Sequence, residues 1–461
     1  MDEPHIAIIG CGAGGGTAAQ FARKTNRKNQ ITIFEQSPYA QYSRCGLPYV
    51  ISGAIPSPNA LLEFTQEWFA KEHITVHLQT TVESIDLQQK KLTVSHKGQH
   101  TQYPFDRLIL ATGSHPLIPP IQGIPKEGPF PPRIFCLRSI DDAVKIQQSM
   151  QQAKHACIVG AGFIGLELTE ALTEKGLAVT VVEALPNILA ASLDSDLGEQ
   201  VAASFPGSVT ILLNHFVTKV TSTPSGITVH TKNRTSNQES SFNTDFVVLA
   251  TGTRPEVPLA KALGCALGPT GGIVVNAHCE TSIPEVYAVG DCTEYKDFVT
   301  GQPVCIGLGS IAVRQGITAG TNAAGGSYEM PPGVLLSRTS TFFGTQIAAV
   351  GPLLTPQYPK PLVHGKINGS SLPTYFPGGK PITVKVSAEE ESGRIVAAQA
   401  VGSNASQRMN VYACAILQHA TVDSFQKLET TYAPPIAPTL DVLTLACDVV
   451  QLKRARKKRE R

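Results

Sequence analysis

Two distant stretches of this chain repeat one pattern of glycines: Gly10-Cys11-Gly12-Ala13-Gly14-Gly15 and Gly160-Ala161-Gly162-Phe163-Ile164-Gly165. Each is entered by an apolar run, Ile6-Ala7-Ile8-Ile9 or Cys157-Ile158-Val159, and each leads into a helical pattern. Both therefore read as strand, tight turn and helix. Glycines in such a turn let the backbone approach a pyrophosphate, and the free N–H groups at the helix start favour its negative charge. In each copy a second strand follows, Ile31-Thr32-Ile33-Phe34 ending in Glu35 and Val179-Thr180-Val181-Val182 ending in Glu183. An acid at that point can accept hydrogen bonds from ribose hydroxyls. At Glu183 it would also repel a 2′-phosphate, and no basic residue follows at once, so NADH is expected in preference to NADPH.

The duplication runs further. Phe105-Asp106 leads through Leu108-Ile109-Leu110 into Ala111-Thr112-Gly113-Ser114-His115-Pro116, and Thr244-Asp245 leads through Val247-Val248-Leu249 into Ala250-Thr251-Gly252-Thr253-Arg254-Pro255. Two units sharing strand, fingerprint, helix, strand and acid in one order are two nucleotide-binding units of α/β type. The chain has 461 residues, 42% of them hydrophobic and 16% charged, which is enough to bury several cores. No apolar stretch reaches the roughly 20 residues of a membrane helix, and the first strand starts too early for a signal peptide, so a cytoplasmic protein without a membrane partner is expected.

Ten cysteines are scattered without close pairs, which suggests free thiols rather than a disulfide framework. Neither they nor the twelve histidines show metal-ligand spacing, so no metal site is expected. Cys157 and Cys414 read as small buried hydrophobes. Cys45 stands apart in Tyr42-Ser43-Arg44-Cys45-Gly46-Leu47-Pro48-Tyr49, where a helix start and the preceding Arg44 are expected to favour the thiolate.

These motifs, with Val286-Tyr287-Ala288-Val289-Gly290-Asp291-Cys292, Tyr375-Phe376-Pro377-Gly378 and Tyr432-Ala433-Pro434-Pro435, resemble the FAD-dependent pyridine nucleotide-disulfide oxidoreductases over nearly the whole chain. Within them the chain looks like the single-cysteine branch of coenzyme A-disulfide reductases, NADH-dependent persulfide reductases and NADH oxidases. The resemblance implies an FAD domain (1–118 and 244–325), an NAD domain inserted in it (119–243), both Rossmann-like, and a C-terminal α+β dimerisation domain (330–450). The prolines at 331 and 332 mark the last boundary. It implies that Gly10, Gly12, Ala13, Gly14, Gly15 and Glu35 hold FAD, with Ala111, Thr112, Gly113, Gly290 and Asp291 lining its course. Asp291 inherits a bond to the ribityl chain. Gly160, Gly162, Ile164, Gly165, Glu183 and Gly252 fall to NADH, with Glu167 near the nicotinamide and Phe163 as the aromatic gate that is usually tyrosine.

The implied activity passes electrons from NADH through FAD to Cys45, and on to coenzyme A disulfide or a related small disulfide, persulfide or polysulfide. Tyr432 and then Tyr375, from the partner of a homodimer, are the candidate proton donors to the leaving thiolate. Ala13 stands where peroxide- and water-forming relatives carry a histidine, which argues for sulfur over peroxide. Two alternatives remain open: an NADH oxidase forming peroxide or water, and a non-catalytic FAD- and NADH-binding redox sensor. The end of the chain, from Lys453 to Arg461, carries seven cations and one anion and leaves the rest near −4. It reads as a basic tail (451–461), solvated and mobile, and nothing else suggests nucleic acid.

Overall fold

In the computed structural model, which describes residues 4–223, 226–305, 307–353 and 358–460, β-branched runs form the strands and the glycine turns start the helices. The first unit runs β1 (His5–Ile9), α1 (Ala13–Thr25), β2 (Gln30–Phe34), α2 (Leu47–Ser52), β3 (Thr75–His77) and β4 (Arg107–Leu110). The second comprises β5 (Ile134–Cys136), β6 (His155–Val159), α3 (Phe163–Glu174), β7 (Ala178–Val182), β8 (Val209–Leu212) and β9 (Phe246–Leu249). The chain then returns to the first unit through β10 (Val286–Ala288) and α4 (Gly309–Ala323).

Both units centre on parallel five-stranded sheets, ordered β10-β4-β1-β2-β3 and β5-β9-β6-β7-β8. The equivalence is residue by residue: β1 lies between β2 and β4 as β6 lies between β7 and β9. Parallel sheets bury both faces, which is why these strands are continuous apolar runs such as Ile6-Ala7-Ile8-Ile9. This moves one expected boundary. A division at residue 244 assigns β9 to the first unit, whereas β9 pairs with β5 and β6 inside the second sheet. The crossing back comes after it, where Thr253–Pro255 pairs antiparallel with Ser114–Pro116.

The third region forms an antiparallel sheet ordered β11-β12-β15-β14-β13 from β11 (Arg338–Phe342), β12 (Thr345–Val350), β13 (Leu362–Ser370), β14 (Pro381–Glu389) and β15 (Ile395–Gly402). Helices α5 (Ala405–Leu417) and α6 (Val442–Glu460) cover it through Met409, Tyr412, Val442, Ala446 and Val450, which pack against Val384 and Val386. Two expectations change here. Cys414 lies on the exposed face of α5 rather than in the core. The basic tail is the last turns of α6: Arg454 is buried and donates to the carbonyls of Glu390 and Glu391 and to Asp423. Its last residue, Arg461, lies outside the described residues.

Candidate active site

The two fingerprints build matching cradles. Gly10 and Gly160 have φ of +101° and +107°, and a Cβ there would meet the carbonyl oxygens of Ala111 and Ala250 at 2.3 and 2.4 Å. A Cβ on Gly15 or Gly165 would lie 2.0 Å from the carbonyl oxygen of Gly10 or Gly160, so the helix can begin this close to the turn only with glycine. Around Gly12 and Gly162 the space is open to 4 Å, which leaves room for a phosphate group at each helix start. Ala13 and Gly14 open α1, and Ile164 follows Phe163 in the first turn of α3.

The two acids close the cradles in the same way. Glu35 accepts from the N–H groups of Cys11 and Ser37, both at 2.8 Å, and Glu183 accepts from Ala161 at 2.7 Å and Leu185 at 2.8 Å. Each carboxylate is thus fixed at a strand end, with lone pairs left for a ribose. The two Ala-Thr-Gly turns clasp one another: Thr112 Oγ1 donates to the Glu256 carbonyl at 2.6 Å, and Thr251 Oγ1 donates to that of Leu117. Gly113 and Gly252 follow at positive φ, 75° and 98°. The threonines therefore fasten the crossing between units, a role their motif does not announce.

One cavity of about 2280 Å³ joins both cradles. Its lining takes in Gly10, Gly12, Gly14, Glu35, Ala111, Thr112 and Gly113 from the first unit, and Gly160, Gly162, Phe163, Ile164, Glu167, Glu183 and Gly252 from the second. Gly290 and Asp291 also line it, and among the described residues Cys45 is its one cysteine. Cys45 sits in a single 3-10 turn, Arg44–Gly46, directly before α2. That helix turns its apolar side, Leu47, Val50 and Ile51, into the core shared with Leu166 and Leu168 of α3. Burial of that face seats the thiol at the meeting of the two units.

The electrostatics of Cys45 differ from expectation. Loss of water pushes its thiol up, and the carboxylates of Glu167 and Asp291 push it further in the same direction, with Arg138 opposing. Arg44, which lines the same cavity, sets its guanidinium over the Tyr42 ring, 5.9 Å from the centroid. Glu167 is itself held above the usual carboxylate range by burial, against a hydrogen bond from Ser340 Oγ at 2.7 Å. Phe163 packs beside Phe342 of β11, ring centroids 6.3 Å apart.

Arg138, which belongs to no motif, and Ser114, which follows the first Ala-Thr-Gly turn, shape the Asp291 site. Arg138 Nη2 donates to Asp291 Oδ2 at 3.0 Å and to Ser114 Oγ at 2.6 Å, while Ser114 Oγ donates to the same carboxylate oxygen at 2.9 Å. Arg138 comes from a loop after β5, so only the folded chain could reveal it. Tyr375 and Tyr432 are brought together, hydroxyl to hydroxyl at 2.6 Å, on an exposed face of the third region, and neither lines the cavity with Cys45.

Two parallel units, the second inserted in the first, that present two nucleotide cradles and one thiol to a single cavity define a two-nucleotide oxidoreductase. Residues 4–316 match the family described as pyridine nucleotide-disulphide oxidoreductase, and the chain belongs to that family. It is 34% identical over 449 residues to an NADH oxidase of Methanocaldococcus jannaschii, covering 96% of this chain and 97% of that one. It is 30% identical to an NAD(P)H coenzyme A polysulfide/persulfide reductase of Pyrococcus horikoshii, over 97% of this chain and 99% of the relative. Among solved structures, an NAD-dependent persulfide reductase from A. fulgidus superposes with a TM-score of 0.92 at 30% identity, covering 98% of this chain and 84% of the other. The protein is an oxidoreductase, and among its described residues no helix is long and apolar enough to cross a membrane.

Proposed function

We propose that this protein is an FAD-dependent reductase that uses NADH to reduce coenzyme A disulfide, or a related small disulfide, persulfide or polysulfide, through Cys45. The observation that carries the reading is the place of Cys45, exposed in the cavity between the two cradles. The open space at Gly12, the carboxylate of Glu35 and the Oδ1 of Asp291 that Arg138 and Ser114 leave unused fit FAD; Gly162, Glu183, Phe163 and Glu167 fit the nicotinamide nucleotide. FAD, when bound, supplies a two-electron exchange between a nicotinamide and a sulfur.

The chain's own residues do the rest. Cys45 thiolate attacks one sulfur of the substrate disulfide, forms a mixed disulfide and releases the other sulfur as a thiolate. That leaving group needs a proton. Tyr432, with Tyr375 hydrogen-bonded to it, is assigned as the donor from a second copy of the chain. In support, the face that carries the pair also exposes Ile436 and Leu440, at 68% and 62%, as an apolar surface suited to a homodimer. A cytoplasmic setting accords with ten cysteines, none of which forms a disulfide. The first and second units and the third sheet serve as FAD, NAD and dimerisation domains in this reading.

Anaerobic reduction by NADH, followed by parallel addition of coenzyme A disulfide, polysulfide or peroxide, tests it with Cys45→Ser as control. A long-wavelength absorbance band and reoxidation by sulfur substrates in wild type alone support the reductase. The likeness to an NADH oxidase carries a second reading, oxygen as acceptor. Oxygen-dependent NADH consumption that persists in Cys45→Ser, with no sulfur turnover, would replace the first by the second.

A further inference from the structure

The tip of the β11–β12 hairpin touches α3 at two carboxylates on one helix face. Ser340 Oγ donates to Glu167 Oε1 at 2.7 Å, and the Phe343 N–H donates to Glu170 Oε1 at 2.7 Å. Residues three apart on a helix share a face, so the third domain grips the nicotinamide-side helix through both. Glu170 does not line the cavity, whereas Glu167 does.

Among the described residues no lysine or arginine pairs with Glu167, so the Ser340 hydroxyl is what favours its charged form against burial. The Tyr49 hydroxyl faces the same serine, and Tyr49 and Cys45 stand on either side of Pro48 and Leu47 in one segment. We propose that Ser340 is a positioning residue of the reaction site: its hydroxyl orients the Glu167 carboxylate in the cavity that holds Cys45 and favours its charged form, so the third domain tunes how readily Cys45 reacts. The groups facing Cys45 are Glu167, Asp291 and Arg138, and those facing Glu167 are Glu170 and Tyr49 beside Ser340. From the third domain, Ser340 reaches Glu167 itself, while the Phe343 N–H reaches Glu170.

The signs are definite. Without the hydroxyl, Glu167 takes up a proton at higher pH, and a neutral Glu167 no longer opposes the Cys45 thiolate. Over the pH interval in which Glu167 is protonated in Ser340→Ala but ionised in wild type, Cys45 becomes more reactive. Above that interval the two proteins coincide. Glu167→Gln should show the increase wherever wild-type Glu167 is ionised, including pH values at which Ser340→Ala and wild type coincide.

The inference gives catalytic meaning to Cys45 only if the proposed function holds, but its test needs no turnover. Holoprotein, reduced with dithiothreitol and desalted under nitrogen, is alkylated with iodoacetamide between pH 5 and 9, and the Cys45 peptide is quantified by mass spectrometry. Expected are a several-fold faster reaction in Ser340→Ala on the acid side, convergence at alkaline pH, and return to wild type in Ser340→Thr. A Ser340→Ala profile matching wild type throughout overturns the proposal. So does a Ser340→Ala effect that persists in a Glu167→Gln background, since Ser340 would then act by another route.

Discussion

Arg138 and Asp291 meet at 3.0 Å, although one follows the edge strand of the second unit and the other sits in a turn after β10 of the first. Both side chains are only about a fifth exposed, 21% and 22%. The pair therefore fastens the unit boundary at the point where the flavin chain is proposed to run. A charged hydrogen bond is worth about 1.5–3 kcal/mol, and its loss leaves the partner unpaired. Arg138→Met is expected to weaken flavin retention about tenfold or more. Flavin fluorescence after gel filtration measures it; retention equal to wild type would show that Arg138 does not set the Asp291 geometry.

The paired glycines separate folding from nucleotide binding. Gly165→Ala puts a methyl 2.0 Å from the Gly160 carbonyl oxygen, and the backbone must yield. Overpacking of this kind costs about 1–3 kcal/mol, so the melting temperature should fall. Gly162→Ala meets nothing within 4 Å and should melt as wild type does. Its methyl nevertheless occupies the open end of α3, so the KM for NADH should rise while bound flavin is kept. Calorimetry and steady-state kinetics on the two variants distinguish the cases, and a normal KM in Gly162→Ala would move the nucleotide elsewhere.

What could be read from the sequence was whatever short-range sterics dictate. Gly10 and Gly160 are dictated by a turn, and Glu35 and Glu183 by the strand end beside it, so both cradles were legible. The surroundings of Cys45 were not, because Glu167, Asp291 and Arg138 arrive from three distant parts of the chain. Arg44, adjacent in sequence, sets its guanidinium over the Tyr42 ring. Strand β9 belongs to the second unit because the duplicated pattern ending in Ala250-Thr251-Gly252 makes Phe246–Leu249 the counterpart of Arg107–Leu110, and sheet pairing follows that equivalence.

A second contact between the second and third units is ionic and pH-sensitive. Lys385 lies 2.7 Å from Asp194 and 2.9 Å from Asp196, and Lys366 lies 2.8 Å from Asp196. Burial opposes charge on Asp196, but the two lysines prevail and hold its carboxyl below the usual range; Lys385 is raised by the same carboxylates, again against burial. The carboxylate contribution is present above the ordinary aspartate range and is lost as pH falls through the depressed folded value. The lysine contribution is present below the ordinary lysine range and is lost as pH rises through the elevated folded value. Lys385→Met should therefore lower the melting temperature at pH 7, by an amount equivalent to about 1 kcal/mol given partial solvent screening, and the deficit should vanish in strong acid. An equal deficit at every pH would make the loss one of packing.

Arg454 decides what the end of the chain is for. Its guanidinium is buried, donates to Asp423 at 2.7 Å and to the carbonyls of Glu390 and Glu391 at 2.8 and 2.9 Å, and closes the turn between β14 and β15. Asp423 is 45% exposed and can be rehydrated once the arginine is gone, but the carbonyls beneath it cannot regain all their partners. Arg454→Ala is thus expected to destabilise the protein by about 2–3 kcal/mol. Truncation after Ala455 keeps Arg454 and removes most of the charge, including Lys457, which pairs with Glu390 at 2.6 Å. That truncation should cost under about 1 kcal/mol. Urea melts of the two proteins give the comparison. If truncation proves as damaging as Arg454→Ala, the last turn of α6 supports the third domain through its lysines and not through this one buried arginine.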